Sequence, residues 1–485
     1  MEQGYCRKIF SSFDIVIIKI ISLRKITTVI FAVVKFKGIM KFYDRQKELE
    51  TLENVRNMAF NVNSQMTVVT GRRRIGKTKL ILKSCENTPT VYWFVSRTNE
   101  AELCRQFAEI IRQSLGAFVP DGISSFSDVF QMCMEIGKNR KYNLVIDEFQ
   151  ELYQINVSVF SYMQNIWDSM KDITNVNLIV SGSVYTMMHK IFQDSKEPLY
   201  GRANCIMRVK PFSVDVMKQI LGDYNPHYTN DDLLALYAFT GGVPKYIELL
   251  MDRKSVSVRK MISQMTEENS IFIEEGNVML IQEFGKKYGI YYSVLSAIAS
   301  GVNEPSRISQ VTGLSTLGGT LLRLEEDYDV IAKKRPIFAK EGSQTVRYEI
   351  KDHFLRFWFR YIVRNQNLVQ TGHYERLREV VSNDYETYSG KELEDYFKDK
   401  IMQTEPVESI GSWWETSRKA NKANEQNEVD IVATYYNERK VLIAEVKRQR
   451  KNFKPEKFQE KVEKLRTRLF YDYAVETKCL TLNDM

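Results

Sequence analysis

The chain has 485 residues, 44% hydrophobic and 27% charged, a composition that supports several folded cores, suggests about three domains and excludes a mainly disordered chain. The formal net charge of +8 permits a nucleic-acid or other acidic partner without requiring one. Six cysteines are scattered without a CxxC pair, which argues against a disulfide framework or a zinc ribbon and predicts a reducing, cytoplasmic location.

The first 39 residues differ in pattern from the rest of the chain. Residues 9–34 are apolar enough to suggest a membrane segment, but a spanning helix needs about 20 nearly uncharged residues. Four charges interrupt this stretch: Asp14, Lys19, Arg24 and Lys25. It also lacks the cleavage site of a signal peptide. Because an amphipathic start follows Met40, we expect residues 1–39 to be a start-site artefact, with an amphipathic membrane-surface helix or a folded strand or helix as alternatives.

Residues 66–78 predict a phosphate-binding loop between a strand and a helix. The run MTVVT precedes GRRRIGKT, and the helix-like KLILKSC follows, which matches GxxxxGK(S/T) in the required context. The two glycines allow the backbone amides to face phosphate, and the helix N-terminus adds a positive dipole end. Lys77 would reach the outer phosphates of ATP, and Thr78 would bind Mg²⁺. The predicted nucleotide-binding residues of the loop are Gly71, Arg72, Arg73, Arg74, Ile75, Gly76, Lys77 and Thr78.

The other half of such a site is an apolar strand that ends in acids, and residues 144–148, LVIDE, fit this description. Asp147 would hold the Mg²⁺ shell, and Glu148 would orient and polarise the attacking water. A further strand, NLIVSGS, ends in small hydroxyl residues. Ser181 stands where a group that senses the γ-phosphate is expected, although an ordinary strand-to-loop serine explains it equally well.

Strand-like and helical patterns alternate up to about residue 210, which predicts a parallel sheet covered by helices on both faces. The chain then becomes mainly helical, and GGVPKY opens a helix with proline in its first turn.

The chain resembles AAA-type ATPases of the archaeal kind, which are grouped with the signal-transduction ATPases, in six segments: FYDRQKELE, GRRRIGKT, LVIDEFQ, LIVSGS, PLYGR and GGVPKYIELL. The resemblance covers roughly residues 41–250. It implies nucleotide-driven conformational switching, a helical lid and often self-association. Arg202, in PLYGR, falls where the family often carries an arginine near phosphate, supplied in cis or by a neighbouring subunit; a surface arginine or a structural salt bridge is the alternative.

Residues 288–350 carry three short helical patterns followed by two strands, which is the order of a winged helix, and the family resemblance extends here. The third helix would be a DNA-recognition helix, with the basic residues 333–335 in the wing. Contact with DNA is one interpretation, and an intramolecular connector between the ATPase and the C-terminal region is the other. The aromatic residues 351–363 are expected to anchor that packing, with His353 packed or capping rather than a ligand.

Residues 427–449 predict a hairpin with a two-residue turn at residues 437–438. In that register Asp430 lies opposite Glu445, and Lys447 shares their face. The hairpin is otherwise apolar on both faces, so it is expected to be central in a sheet. Two opposed carboxylates repel each other unless a cation lies between them, and Mg²⁺ or Mn²⁺ would serve. Asp430 and Glu445 are therefore predicted metal ligands, and Lys447 would stabilise developing charge.

This pattern resembles the D…(E)xK constellation of the restriction-endonuclease-like fold, over about residues 386–485. That family places a further glutamate on an upstream helix, and Glu394 best matches it, where it would support the metal or its water. The resemblance implies a metal-dependent nuclease that acts on DNA or RNA. Two alternatives stay open: a nuclease-like domain without activity that binds a partner or DNA, and a plain solvated rim of charges.

The predicted fold class is α/β, with a P-loop parallel-sheet ATPase, a helical lid, a winged-helix module and a C-terminal α/β nuclease-like domain. The predicted segments are 1–39 (extension), 40–210 (ATPase core), 211–285 (lid), 286–350 (winged helix), 351–385 (helical connector) and 386–485 (nuclease-like domain). We expect an ATP-hydrolysing switch whose nucleotide state controls the nuclease-like domain, with nucleic acid and further copies of the chain as partners. The alternative is an ATP-controlled regulator or scaffold. The predicted catalytic residues are Glu148, Glu394, Asp430, Glu445 and Lys447.

Overall fold

The structure is a computed structural model that describes residues 40–339, 346–414 and 428–485, apart from the side chain of Tyr185. The predictions for residues 1–39 lie outside the described residues. Among the residues that are described, no helix combines the length and the apolar character needed to cross a membrane.

A five-stranded parallel sheet organises the first part of the chain, in the order β2-β3-β4-β1-β5. Its strands are β1 (Gln65–Thr70), β2 (Thr90–Phe94), β3 (Tyr142–Asp147), β4 (Val176–Gly182) and β5 (Cys205–Arg208). The helix α1 (Gln46–Asn61) precedes the first strand, and the helices between the strands are α2 (Lys77–Ser84), α3 (Glu100–Leu115), α4 (Phe126–Gly137), α5 (Leu152–Ile155), α6 (Val159–Met170) and α7 (Tyr185–Gln193). The three central strands are buried along their whole length, as expected for a parallel sheet covered on both faces.

Five helices follow the sheet: α8 (Val214–Tyr224), α9 (Asn230–Thr240), α10 (Pro244–Asp252), α11 (Val258–Thr266) and α12 (Ile271–Phe284). The sequence of α9 is apolar nearly all round, so this helix has to be surrounded by others, and its residues from Asp232 to Thr240 are all buried. Thr229 and Asp232 form a capping box that fixes its start.

Three helices and a two-stranded antiparallel sheet come next: α13 (Tyr288–Ala299), α14 (Pro305–Thr312), α15 (Leu317–Leu322), β6 (Ile331–Lys334) and β7 (Arg347–Ile350). This order agrees with the predicted winged helix, an assignment that stays a prediction. Beyond β6, the backbone N–H of Ile337 donates to the carbonyl of Ser412 at 2.9 Å, and Phe338 packs edge-on against Phe470. The predicted wing therefore rests on the C-terminal region, which favours the connector interpretation.

The last part of the chain contains α16 (His353–Phe357), which continues as a π-helical stretch Trp358–Val363, then α17 (Gln366–Gln370), the 31-residue α18 (Tyr374–Thr404) and a mixed sheet with α19 (Pro455–Leu469). The strands of the sheet are β8 (Val407–Trp414), β9 (Glu428–Tyr435), β10 (Lys440–Val446) and β11 (Ala474–Leu480), in the order β11-β10-β9-β8. In the hairpin, Val441 pairs with Thr434 and Ala444 with Ile431. The predicted register is confirmed, and the hairpin is central in its sheet.

One hydrophobic core extends through both halves of the described chain. It includes Val69 and Leu80 beside the phosphate-binding loop, most of α9, the aromatic run of α16, and Ile431 and Leu442 on one face of the mixed sheet. Separate smaller cores lie on the other face of the parallel sheet and under α19. The helix α18 joins the halves, because it packs on α9 and on the mixed sheet. The two predicted sites are therefore connected through packed side chains.

Candidate functional site

The phosphate-binding loop, the acidic pair 147–148 and the residue after β4 meet at one edge of the parallel sheet. They meet because the strands are parallel, so that all their carboxyl ends lie at that edge. A cavity of about 460 Å³ opens there, within the usual size range of ligand sites. Its polar lining includes Arg73, Lys77, Thr78, Glu148 and Ser183, and its apolar lining includes Met40, Phe42, Tyr43, Phe212 and Pro244. The cavity thus offers a polar part for phosphates and an apolar part for a base.

Backbone geometry sets the shape of the loop. Gly71 and Gly76 have φ values of 149° and 88°, which other residues rarely adopt. A Cβ at Gly71 would lie 2.8 Å from the carbonyl oxygen of Val209. The ammonium of Lys77 donates to the carbonyls of Gly71 and Arg72, at 2.8 and 3.2 Å, and burial lowers its pKa. Phosphate oxygens can replace these two carbonyls as acceptors.

Asp147 lies directly beside the start of α2. Its carboxylate accepts a hydrogen bond from Thr78 Oγ1 at 2.7 Å, from the Tyr92 hydroxyl at 2.6 Å and from Ser181. The structure thus brings together Thr78 and Asp147, the two predicted Mg²⁺ ligands of the nucleotide site. A hydroxyl and a carboxylate oxygen are suitable donors for Mg²⁺, which keeps several waters and takes phosphate oxygens as well.

Glu148 lines the cavity with its backbone in the left-handed region, at φ 54°. Its carboxylate accepts hydrogen bonds from Gln150 Nε2 at 2.5 Å and from Ser183 Oγ at 2.8 Å. These contacts fix the carboxylate next to the polar part of the cavity. A carboxylate in such a position has the geometry to orient a water molecule.

The structure places the two serines after β4 in different environments. Ser181 is fully buried and donates to Asp147, and it is not among the residues that line the cavity. Ser183 lines the cavity instead. The prediction that Ser181 senses the γ-phosphate therefore has the wrong serine at the cavity wall. Ser181 lies within β4, whereas Ser183 follows its last residue, Gly182, at the point where the chain leaves the sheet.

Arg202 lies near the amino ends of the parallel strands, whereas the phosphate-binding loop lies at their carboxyl ends. Arg202 precedes β5, whose first residue, Cys205, pairs with Thr67 near the start of β1. The phosphate-binding loop follows the other end of β1, about 15 Å further along that strand. The guanidinium of Arg202 pairs with Asp168 at 3.0 Å. Action of Arg202 on phosphate in cis is therefore wrong for this geometry, and a contact from a neighbouring subunit is the version that stays a prediction.

Three residues of the helical part approach the nucleotide site without having been predicted to do so. Pro244 and Lys245, at the start of α10, line the cavity. Glu283 of α12 faces the loop: burial raises its pKa to about 7, and Arg72 and Lys77 oppose that shift. The GGVPKY sequence signalled the first two, whereas Glu283 depends on the packing of α12, which no local pattern reveals.

A second cluster of charges lies at the end of the β9–β10 hairpin. Lys447 Nζ is 3.0 Å from a carboxylate oxygen of Glu445 and 3.4 Å from one of Asp430. Asp430 also accepts the backbone N–H of Val446 at 2.7 Å. Lys461, from α19, contacts Glu445 at 3.2 Å. The structure brings the predicted acids and lysine together and adds a second lysine that the sequence did not reveal.

Glu394 reaches the same cluster from α18. Burial, followed by repulsion from Asp430, raises its pKa to about 8. Burial also raises the pKa of Asp430 itself, and the nearby Lys447 opposes that rise. The predicted position of Glu394, facing the end of the hairpin, agrees with this electrostatic contact.

The acids of this second cluster are neutralised by lysines. Within residues 40–339, 346–414 and 428–485, no group of three His, Cys, Asp or Glu side chains is arranged to hold a metal ion. Asp430 and Glu445 have ammonium partners where the sequence analysis expected a metal ion. As arranged, these residues do not form a ready metal site.

Comparisons with known proteins agree with the geometry of the first site. Residues 42–250 match a family described as an ATPase domain predominantly from Archaea. This part of the chain is therefore similar in sequence to archaeal ATPase domains. The Walker-type ATPase of Pyrococcus abyssi has a similar structure, with a TM-score of 0.51 and 18% identity, covering 66% of this chain and 96% of its own. The α/β P-loop fold class is confirmed.

Further matches are to proteins whose role is not described. Residues 358–460 match a family described as "Archaea bacterial proteins of unknown function". An uncharacterized protein of Methanocaldococcus jannaschii is 28% identical over 415 residues, which is 84% of this chain and 87% of the relative. A second uncharacterized protein of that organism is 39% identical over 67 residues, 14% of this chain and 65% of the relative. The nuclease resemblance of residues 386–485 stays a prediction.

Proposed function

We propose that the chain is an ATP-hydrolysing switch whose nucleotide state controls the C-terminal region. The observation that carries the ATPase part is the complete phosphate-binding loop with Thr78 and Asp147 in contact at its end, 2.7 Å apart. The archaeal ATPase family match supports the same activity.

The residues of the cavity divide the work of binding and hydrolysis. Thr78 and Asp147 would hold Mg²⁺, which neutralises phosphate charge when it is bound. Lys77 exchanges its two carbonyl acceptors for outer phosphate oxygens. Glu148 orients the water that attacks the terminal phosphorus and accepts its proton. Phe42 and Phe212, at the apolar part of the cavity, exclude water around the base.

We further propose that the C-terminal cluster is a phosphodiesterase site that acts on DNA or RNA. Glu394, Asp430, Glu445 and Lys447 are the proposed catalytic residues. Lys447 can stabilise charge that develops on a phosphate. Binding of Mg²⁺ or Mn²⁺ by Asp430 and Glu445 would require both acids to exchange their lysine partners for the ion.

The lysine pairs favour a second candidate function for this cluster. Because Lys447 and Lys461 already neutralise Asp430 and Glu445, the cluster is stable as an internal ion-pair network. A regulator or scaffold would need no more than this, and it would use the mixed sheet to bind a partner.

The deciding experiment is calorimetric titration of Mn²⁺ and Mg²⁺ into the full chain, paired with a cleavage assay on single- and double-stranded DNA and RNA with ATP present. Metal binding that is lost in both Asp430→Asn and Glu445→Gln, together with cleavage, supports the phosphodiesterase. The absence of both metal binding and cleavage supports the regulator. An Asp472→Asn variant is the control, since Asp472 pairs with Arg439 at the other end of the hairpin.

We also propose that subunits associate and that Arg202 acts across their contact. Hydrolysis per subunit should then rise with protein concentration and fall in an Arg202→Ala variant. Rates that are indifferent to both would remove Arg202 from this role.

A further inference from the structure

The phosphate-binding loop also contacts Asp352, the residue that precedes α16. The carbonyl of Arg72 accepts the Lys77 ammonium at 3.2 Å, inside the nucleotide site. The side chain of the same residue turns away from the cavity and forms an ion pair with Asp352. Its neighbour Arg74 pairs in the same way with Glu275 of α12, at 2.6 Å. The side chains of Arg72 and Arg74 thus reach the region that follows the parallel sheet, whereas Arg73 lines the nucleotide cavity.

Asp352 is a structural junction rather than a surface acid. Its side chain is 7% exposed, and Oδ1 caps α16 by accepting the backbone N–H of Leu355 at 2.7 Å. The next residue, His353, packs on the ring of Tyr237 in α9 and contacts Glu392 of α18 at 2.5 Å. A change in the position of Asp352 therefore moves the start of α16 and the contacts of His353.

The ionic contacts continue along α18 to the second cluster. Arg356, also on α16, bonds Glu392 at 3.1 Å and Asp395 at 2.6 Å. Burial opposes the charge on Asp395, but Arg356 and Lys398 hold its pKa below the ordinary value. Glu394, the residue before it, faces Asp430. Charged side chains thus link the phosphate-binding loop to the hairpin, with two steps along the backbone, from Asp352 to His353 and from Asp395 to Glu394.

We propose that the Arg72–Asp352 ion pair transmits nucleotide occupancy to the acidic cluster at the end of the β9–β10 hairpin. This inference rests on the proposed binding of ATP, and it does not require the C-terminal cluster to be catalytic. When phosphates draw Lys77 away from the carbonyl of Arg72, the loop at Arg72 loses an internal contact and its side chain repositions Asp352. Because α16 and α18 are packed into one core, the shift reaches Asp430 as a change in ion pairing rather than as free motion.

The test is amide hydrogen exchange of the full chain, with and without a non-hydrolysable ATP analogue and Mg²⁺. In the wild type, the analogue should change the exchange rates of amides in β9, β10 and the second half of α18 by about fivefold or more, the lower end of typical coupling. Asp352→Asn keeps an oxygen that can cap α16 but removes the charge that pairs with Arg72. This variant should bind the analogue and lose most of the change in these segments.

Asp168→Asn is the matched control, because it also removes an aspartate from an arginine pair, at the far edge of the sheet; it should behave as the wild type. Should Asp352→Asn unfold, Asp352→Ser keeps an oxygen that can cap α16, removes the same charge and must give the same loss. An unreduced exchange response in these variants, or no response in a wild type that binds the analogue, overturns the inference alone. A wild type that does not bind the analogue overturns the proposed ATPase as well.

Discussion

The nucleotide cavity and the hairpin cluster use the same residue types in opposite ways. In the cavity, Lys77 bonds two neutral carbonyls, so its charge is free to be matched by an anion. In the hairpin cluster, Lys447 bonds two carboxylates, and Lys461 adds a further positive charge. The first site is arranged to receive phosphate, whereas the second has to break internal ion pairs before it receives a ligand of either sign.

Residue types that carry out catalysis can lie close together without forming a site that is ready to bind its ligand. Proximity alone is therefore not sufficient evidence of a working site. The net charge around each group decides which ligands bind favourably. Charges that are buried and already paired have to be separated from their partners before they can bind a ligand. Single substitutions in each site can test this contrast.

Replacing Lys77 with Ala should abolish ATP binding, with a loss of affinity of about 100-fold or more, because its ammonium lies on the loop carbonyls that phosphate oxygens would replace. Equilibrium binding of a fluorescent ATP analogue measures this. Lys138→Ala, which removes a lysine paired with Glu135 on the surface, is the control. Near-normal affinity in Lys77→Ala would contradict the assignment of the cavity.

Glu148→Gln should leave ATP affinity within a few-fold of the wild type and lower turnover by about 10²-fold or more, because the amide cannot accept a proton from the attacking water. Phosphate release under saturating ATP gives the rate. Glu151→Gln serves as the control, since that residue pairs with Arg97 away from the cavity. Unchanged turnover in Glu148→Gln would remove the residue from its proposed role.

Lys447→Met should destabilise the fold by about 1–2 kcal/mol, because Asp430 and Glu445 lose the cation between them. If the two acids are able to hold a metal, millimolar Mg²⁺ or Mn²⁺ should restore much of the lost melting temperature in this variant. Lys440→Met, which breaks the pair with Glu476 at the far end of the same strand, should show no such rescue. If the metal changes the melting temperature of both variants equally, the hairpin cluster does not bind it, and the regulator function is favoured.

Glu283 should make stability depend on pH. Its pKa in the folded chain is about 7, above the ordinary value of 4.5, with burial as the main cause. Between these values the folded state holds a proton that the unfolded state has lost, so this group's contribution to stability falls as pH rises from about 4.5 to 7. Glu283→Gln should therefore gain on the order of 1 kcal/mol relative to the wild type at pH 8 compared with pH 4. Chemical denaturation at the two pH values measures the difference, and an equal effect at both would contradict it.

Local patterns brought together the central residues of both candidate sites but did not reveal their partners. The loop sequence predicted Lys77 and Thr78, and the two-residue turn predicted the register that sets Asp430 opposite Glu445. In contrast, Lys461 reaches Glu445 from α19, and Asp352 reaches Arg72 across 280 positions of the chain. Such contacts depend on how helices pack, and single-sequence periodicity carries no information about which helix lies next to which.

The basic run after the hairpin shows the same limit. Arg448 belongs to a run of Lys and Arg whose composition alone would suit a phosphate backbone or a solvated helix start. It instead bonds Ser389 at 2.6 Å and Asp231, at the start of α9, at 3.0 Å. Charge composition could not reveal this, because an arginine in a basic run and an arginine in a buried interface look alike in sequence.

The contact between Ile337 and Ser412 has a consequence for solubility. The strand β8 is an edge strand of the mixed sheet. An open edge strand is a template for pairing with another chain. The backbone N–H of Ile337 occupies an outward carbonyl of that edge at 2.9 Å, and Pro336, beside it, has no N–H to offer to a further strand. Residues 335–339 therefore cover part of this edge and leave fewer backbone groups open for pairing with another chain.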